Sequence, residues 1–132
     1  MLKLYEHPLS AYAMKVKIAL NEKGLEFETS IPDGMSMGKA GGEFVDANPR
    51  AEVPTLVDGD FRVYDSTVML EYIEENWPHP PLLPKAPAER ARVRMLEDVM
   101  ATQYAPTNWG TFETLRYQRA SAATGDRLLA TG

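Results

Sequence analysis

The sequence predicts an α/β fold in which strands and helices follow the order βαβαββα, with helices alone after it. Two apolar runs flank Asp58-Gly59, which is a strong hairpin signal because glycine readily accepts the positive φ of a tight turn. Strand-like and helix-like spacings of apolar residues alternate through residues 1–77. Five of the ten prolines fall in residues 78–87, which indicates a semi-rigid linker. We therefore expect one domain over 1–77 and a helical part over 88–132.

The N-terminal segment predicts a strand, a helix and a second strand. The strands are expected over Leu2–Glu6 and Leu25–Ile31, and the helix over Ala11–Lys23. Ser10 can cap this helix, and Gly24 suits its end. Two strands joined in this way are normally parallel. The expected inward residues are Met14, Ile18, Val16 and Leu20, and the expected solvent-facing ones are Lys15, Lys17, Glu22 and Lys23.

The middle of the chain predicts a short helix, a hairpin and a longer helix. The short helix is expected over Lys39–Ala47, and Asn48-Pro49 ends it. Asp65 and Ser66 are both good N-caps for the longer helix, which Trp77-Pro78 ends because the residue before proline avoids the α region. On that helix the expected inward residues are Val68, Met69, Tyr72 and Ile73, and the expected outward ones are Glu71, Glu74 and Glu75.

The segment after the linker predicts two or three helices that have little to pack against. Pro87 can occupy the first position of a helix over residues 88–104, and Pro106 is expected to end or kink it. The apolar residues of the segment after the linker include Met95, Leu96, Val99, Met100, Trp109, Phe112 and Leu115. We expect this segment to pack on the first domain, on another subunit or on a part absent from the chain.

The composition narrows the classes of function. The net charge of −5 argues against a grip on nucleic-acid phosphates. With no cysteine, the chain has no disulfide, no thiolate metal site and no redox thiol. No apolar run approaches the roughly 20 residues that span a bilayer, and no signal peptide is apparent. We expect a cytoplasmic protein without a metal or a membrane partner.

Two positions are candidates for a chemical role. Pro54 stands at a strand entry, where its peptide bond can be cis or, more commonly, trans. The helix start at Asp65-Ser66 offers free N–H groups to an anion and a carboxylate to an ammonium. An amino acid carries both groups on one carbon and would fit this start. The alternative interpretation is an ordinary helix cap.

Several segments together resemble the glutathione S-transferase family over about the first 95 residues. They are "HPLS" at residues 7–10, "NEKGLEFE", "NPRAEVPTLVDGD", "YDSTVMLEYIEENWP", "PPLLP" and "AERARVR". The resemblance implies a thioredoxin-like N-terminal domain followed by a partial all-α domain, since relatives carry a longer helical part. It also implies glutathione as co-substrate, an electrophilic small molecule as second substrate, and a homodimer.

The resemblance assigns roles to particular residues. It implies that Pro54 is cis, that the backbone of Val53 pairs with the cysteinyl segment of glutathione, and that Asp65 and Ser66 hold the γ-glutamyl end. Glu52 stands where the family often has glutamine, so its carboxylate must point away from the ligand or meet its amine. Lys39 can bind the glycyl carboxylate; the alternative is an exposed lysine.

Ser10 aligns with the serine that activates the thiol in many classes of the family. A free thiol has a pKa of about 8.5, and lowering it by two units requires only about 2.7 kcal/mol. A hydroxyl donor at a helix start can supply this energy with the helix dipole. The alternative role for Ser10 is a helix cap without a part in catalysis. Tyr5 is the alternative thiol activator. If Tyr5 has no catalytic role, we expect it to be a half-buried aromatic residue of the first strand.

A second-substrate pocket is expected between the Ser10 loop and the first long helix after the linker. Its candidate lining residues are Tyr12, Met100, Tyr104 and Trp109, although such a stripe is more often core. Two functions stay open: a glutathione transferase, and a non-catalytic binding or adaptor protein of the same family. A thiol-disulfide oxidoreductase is nearly excluded because the chain has no thiol.

Overall fold

The structure is a computed structural model, and it describes residues 1–35 and 41–115. The chain divides into two units, one over Met1–Pro84 and one that begins at Lys85, within the predicted linker. The first unit contains β1 (Leu2–Tyr5), α1 (Ala11–Glu22), β2 (Phe27–Ser30), α2 (Glu43–Ala47), β3 (Thr55–Asp58), β4 (Phe61–Tyr64) and α3 (Ser66–Asn76). The second contains α4 (Pro87–Val99), a π-helical segment (Met100–Tyr104) and α5 (Ala105–Leu115).

The first unit is organised around a four-stranded mixed sheet in the order β2-β1-β3-β4. β1 and β2 run parallel, as predicted, while β3 is antiparallel to both β1 and β4. The β3–β4 hairpin turns at Gly59, whose φ of 56° lies in the region that glycine favours. Tyr5 faces Thr55, which in turn faces Tyr64. The end of β1, the start of β3 and the end of β4 therefore lie at one edge of the sheet.

Apolar side chains fill both faces of this sheet. Because side chains alternate along a strand, Leu2 and Leu4 point to one face and Tyr5 to the other. The larger core packs α1 and α3 on the first face, and its members are Leu2, Leu4, Val16, Leu20, Leu56, Val63, Met69 and Ile73. A smaller core of Tyr5, Phe44 and Ala47 packs α2 on the second face. α2 is shorter than predicted and begins at Glu43; Lys39 lies outside the described residues.

The predicted inward face of α1 is partly wrong. Val16 and Leu20 are fully buried, but Met14 and Ile18 are 47% and 54% exposed. Apolar residues occur on two sides of this helix, so their spacing does not determine which side meets the sheet. The buried side also carries Ala13 and Ala19, and such small residues let the helix approach its neighbours closely.

Two charged residues that were expected in solvent are buried. Lys23 caps the end of α1 and forms an ion pair with Glu74 of α3. The Glu74 carboxylate also accepts hydrogen bonds from the N–H groups of Leu82 and Leu83, and Lys23 donates to the carbonyl of Pro80. The partners compensate for the burial of both charges. Val68, expected inside, is 53% exposed instead.

The second unit consists of helical segments with exposed apolar residues. Its described part has no buried residue in α4, where Met95 and Leu96 are 67% and 68% exposed. Pro106 was expected to end or kink the helix, but helical backbone continues through it, and Pro106 falls in the first turn of α5. The wider π-helical turn precedes it. Within the described ranges, no helix is both long and apolar enough to cross a membrane.

Candidate functional site

The sheet topology gathers three chain segments at one edge. The segment 6–10 leaves β1 there, the segment 48–54 enters β3 there, and Asp65 follows β4 there. α1 and α3 both begin at this edge, so their N-terminal N–H groups lie near the same place. These segments carry Ser10, Val53, Pro54, Asp65 and Ser66, which the sequence predicts as site residues.

Ser10 starts α1 with an ordinary extended backbone. Its Oγ accepts a hydrogen bond from the N–H of Ala13 at 3.1 Å, and its carbonyl accepts from Met14. A serine hydroxyl has two acceptor lone pairs and one donor hydrogen. The cap uses one lone pair, so capping is compatible with donation of the hydroxyl hydrogen to an anion. The two interpretations of Ser10 are therefore not mutually exclusive.

Asp65 starts α3 with an unusual backbone. Its φ is +73°, and one carboxylate oxygen accepts from the N–H groups of Thr67 and Val68 at 3.0 and 3.3 Å. A non-glycine residue at positive φ costs on the order of 1–3 kcal/mol and is typical of functional sites. The side chain is exposed, whereas that of the following Ser66 is buried. The Asp65 carboxylate is therefore exposed at this edge of the sheet, and it can accept hydrogen bonds in addition to those of its helix cap.

Two side chains of α1 reach the start of α3. The Lys15 ammonium donates to the Thr67 hydroxyl at 3.3 Å. Burial, and secondarily the negative charge of Asp65, raise the pKa of the Tyr12 phenol above its usual range. Tyr12 therefore stays protonated at neutral pH and lies within electrostatic reach of Asp65. The sequence places Tyr12 in a second-substrate pocket, and this remains a prediction.

The segment 48–54 is held by one buried side chain. Asn48 is 1% exposed, and its amide nitrogen donates to the carbonyl of Glu52 at 2.7 Å and to the hydroxyl of Thr55 at 3.0 Å. Its amide oxygen accepts from the N–H of Arg50 at 2.9 Å. This role of Asn48 was not predicted from the sequence, although an Asn-Pro step at a helix end is a signal for side-chain bonding to a turn.

Backbone strain recurs in this segment. Ala51 has a φ of +52° and is, with Asp65, one of two non-glycine residues at positive φ in residues 1–35 and 41–115. The Val53–Pro54 bond that follows is cis. Glu52 forms an exposed ion pair with Arg50 at 2.7 Å, so its carboxylate has a cationic partner of its own.

Tyr5 lies on the opposite face of the sheet from α1. Its ring packs against Phe44 with the ring centroids 5.3 Å apart, and the Lys3 ammonium lies 4.5 Å from the ring centroid. A hydrogen bond with the Tyr5 hydroxyl raises the pKa of Lys3. Tyr5 is buried, and these contacts account for its side chain as part of the smaller core.

A hollow of about 260 Å³ also lies on that face. It is lined by Lys3, Tyr5, Glu43, Asp46, Ala47, Val57 and Arg62. Apart from Tyr5, none of these residues is a predicted site residue. Three other predicted residues, Met100, Tyr104 and Trp109, belong to the second unit and are exposed. Their assignment to a second-substrate pocket stays a prediction.

Known proteins share this sequence pattern. Residues 4–81 match the family model described as glutathione S-transferase, N-terminal domain. A stringent starvation protein A homolog of Coxiella burnetii is 41% identical over 93 residues, which cover 70% of this chain and 43% of that protein. Glutathione S-transferase Z1 of Arabidopsis thaliana is 43% identical over 91 residues, which cover 68% of this chain and 41% of that protein. The chain thus spans less than half the length of these curated relatives.

A solved structure shares the fold. The glutathione S-transferase of Rhodospirillum rubrum F11 superimposes with a TM-score of 0.83 at 33% identity, covering 100% of this chain and 60% of that one. The thioredoxin-like domain with a partial helical domain, which the sequence predicts, is confirmed.

Proposed function

The chain belongs to the glutathione S-transferase family, and on that premise we propose that it binds glutathione at the starts of α1 and α3 and activates its thiol through Ser10. The observation that carries the proposal is the strained, exposed Asp65 at the start of α3, at the sheet edge where Ser10 and Val53 also lie. A carboxylate at a helix start, where the helix dipole favours an anion, complements the ammonium and the carboxylate of a γ-glutamyl group. In this proposal Asp65 takes the ammonium and Ser66, with the helix start, takes the carboxylate.

The segment before β3 is assigned to the middle of the ligand. Among the described residues, no hydrogen bond engages the backbone N–H or carbonyl of Val53. A peptide-like ligand can pair with such an open backbone segment as an added strand does. The cysteinyl part of glutathione would then lie between Val53 and the start of α1.

Ser10 is proposed as the residue that stabilises the thiolate. Its hydroxyl hydrogen can be donated while the oxygen still caps α1, and the positive end of the helix dipole acts in the same direction. The thiolate then attacks an electrophilic carbon, and the leaving group departs with its electron pair. The packing of Tyr5 against Phe44 on the other face of the sheet favours Ser10 over Tyr5.

A non-catalytic binding or adaptor protein of the same family is the second candidate function. It is supported by the 41% identity to a relative named stringent starvation protein A homolog and not transferase, whereas the 43% identity to glutathione S-transferase Z1 supports the transferase proposal. The two candidates differ in whether a glutathione thiol is activated for conjugation, and the adaptor keeps the fold with or without bound glutathione. The transferase proposal also includes an electrophilic small molecule as second substrate and a homodimer, both of which family membership supports.

Calorimetric titration with glutathione tests the proposed site. We expect the wild-type protein to bind and Ser66→Ala to bind about tenfold more weakly, because a hydrogen bond to a charged group contributes about 1.5–3 kcal/mol. Thr29→Ala, on the exposed edge strand β2, is the control and should bind as the wild type does. No binding by the wild-type protein would refute the proposal, and equal binding by Ser66→Ala would remove Ser66 from the site.

A further inference from the structure

We propose that Asn48 is the positioning residue of the glutathione site, holding the segment 50–54 in the shape that presents the backbone of Val53. This inference rests on the proposed function, because it assigns the control of that same site. Asn48 does not touch the ligand in this account. It acts through the backbone on both sides of the Val53–Pro54 step.

The hydrogen bonds of Asn48 enclose the segment from both ends. One amide hydrogen reaches the carbonyl of Glu52, immediately before Val53, and the other reaches the hydroxyl of Thr55, immediately after Pro54. The Thr55 hydroxyl also approaches the carbonyl of Glu52, at 3.3 Å. The side chains of Asn48 and Thr55 thus meet at one carbonyl, directly behind the residue whose backbone is proposed to pair with glutathione.

The same residue supports the strained part of the loop. The N–H of Ala51, which is held at a φ of +52°, donates to the Asn48 carbonyl at 2.9 Å. The amide oxygen of Asn48 accepts from Arg50 next to it. Positive φ at an alanine persists only where surrounding contacts over-determine the backbone. Asn48 supplies contacts of this kind from both its side chain and its main chain.

Burial makes these bonds specific to asparagine. Asn48 and Thr55 are 1% and 0% exposed, so water cannot easily replace a lost partner. Asparagine offers two donors and an acceptor on one short side chain, and all are used here. Aspartate keeps the acceptor for Arg50 but loses both donors and places a negative charge against the carbonyl of Glu52. Alanine loses all three bonds.

The test compares glutathione affinity with fold stability in matched variants. Calorimetry gives the dissociation constant for glutathione, and thermal unfolding gives the midpoint. The variants are Asn48→Ala, Asn48→Asp, Thr55→Val and Thr55→Ser, with Leu2→Ala as a control. Leu2 is buried at the start of β1, at the other end of the strand from the site, so this change lowers stability without touching the loop.

We expect Asn48→Ala and Asn48→Asp to weaken glutathione binding by about tenfold or more at a temperature where each variant is folded. Thr55→Val should weaken glutathione binding by a smaller factor. Thr55→Ser should bind glutathione about as the wild-type protein does, because it keeps the hydroxyl. Leu2→Ala should lower the unfolding midpoint and leave the affinity within about twofold of wild type. If the Asn48 variants do not fold, the difference in glutathione affinity between Thr55→Val and Thr55→Ser still tests the proposal.

Two results would overturn the proposal while leaving the proposed function intact. One is unchanged glutathione affinity in folded Asn48→Ala or, if that variant does not fold, in Thr55→Val. The other is an affinity loss in Leu2→Ala equal to that in the loop variants, which would show a general effect of stability. Absence of glutathione binding by the wild-type protein would overturn both proposals at once, since no ligand would then need a positioned backbone.

Discussion

The two ends of the α1–α3 layer differ in how their charged groups are used. At one end, where both helices begin, Asp65 is exposed, strained in its backbone and bonded mainly to its own helix start. At the other end, Lys23 and Glu74 are buried and fully engaged with each other and with residues 80–83. We interpret the exposed, strained Asp65 as part of the proposed binding site, and the buried pair, whose partners the chain itself supplies, as a structural contact. We call the first end the open end and the second the closed end. The open end should govern glutathione binding, and the closed end should govern stability.

Removal of the buried cation is the largest expected effect. Lys23→Met should lower the free energy of unfolding by about 3 kcal/mol, because Glu74 would keep a buried charge without its cationic partner. Chemical denaturation measures this change. Arg50→Met is the control, since both members of the Arg50–Glu52 pair are exposed and the pair should contribute about 1 kcal/mol or less to stability.

The comparison of ends also predicts that Lys23→Met binds glutathione within about twofold of wild type once it is folded. A selective loss of affinity in this variant, without a loss of stability, would break the distinction between the two ends.

Ser10→Ala addresses the open end. The rate of glutathione conjugation should fall by about 30-fold, which corresponds to about 2 kcal/mol of transition-state stabilisation. The loss of the helix cap should lower stability by about 1 kcal/mol, and glutathione affinity should change little. Steady-state kinetics with a chromogenic electrophile measures the rate.

Ser10→Thr is the control for this change, because threonine also caps helices and keeps a hydroxyl. Equal rates in wild type and Ser10→Ala would remove the catalytic role from Ser10. No conjugation by a wild-type protein that binds glutathione would favour the non-catalytic candidate.

At the open end, Asp65→Asn removes the negative charge of the side chain while keeping an oxygen that can cap α3. Asparagine accepts hydrogen bonds from Thr67 and Val68 and tolerates positive φ, so stability should stay within about 0.5 kcal/mol. Loss of the carboxylate charge should weaken glutathione binding about tenfold. Calorimetry measures the affinity, with Asp60→Asn in the exposed hairpin turn as the control. Unchanged affinity would leave Asp65 as a helix cap alone.

Acid titration gives the smallest expected effect, and it belongs to the closed end. Burial would by itself raise the pKa of the Glu74 carboxyl, but hydrogen bonds from Lys23, Leu82 and Leu83 and the charge of Lys23 lower it below its ordinary value of 4.5. A carboxyl with a depressed folded pKa binds its proton more readily in the unfolded chain. Its stabilising contribution is present above the unfolded pKa and is lost as pH falls through the folded pKa.

The slope of unfolding free energy against pH should therefore be less steep in Glu74→Gln than in wild type below about pH 4.5. Denaturation at a series of acidic pH values measures both slopes. Identical slopes would show that Glu74 titrates at the same pKa in the folded and unfolded chains.

Local signals in the sequence were sufficient for the order of the elements and for the helix starts at Ser10 and Asp65. The Asp58-Gly59 turn, the caps at Ser10 and Asp65 and the proline at the start of α4 depend on a few neighbouring residues, and each prediction was confirmed. The same locality explains the errors. Apolar residues on two sides of α1 made Met14 and Ile18 candidates for the core, and their exposure follows from which side meets the sheet.

Charge and hydrogen-bonding partners were decided only by the tertiary structure. Glu74 was expected in solvent because carboxylates are rarely buried, and its burial depends on Lys23, 51 positions away in the chain. Asn48 is recognisable in the sequence as a turn residue, yet its bond to Thr55 exists only because the segment 48–54 folds back on itself.

The sequence by itself thus determined the order of elements, the starts of α1, α3 and α4 and the family resemblance, because these depend on local backbone preferences and spacing. Only the tertiary structure decided which helix faces are buried, that Lys23 and Glu74 meet, and that Asn48 supports the strained backbone of Ala51. The physical reason is that burial and pairing depend on contacts between residues distant in the chain, and no local pattern specifies them.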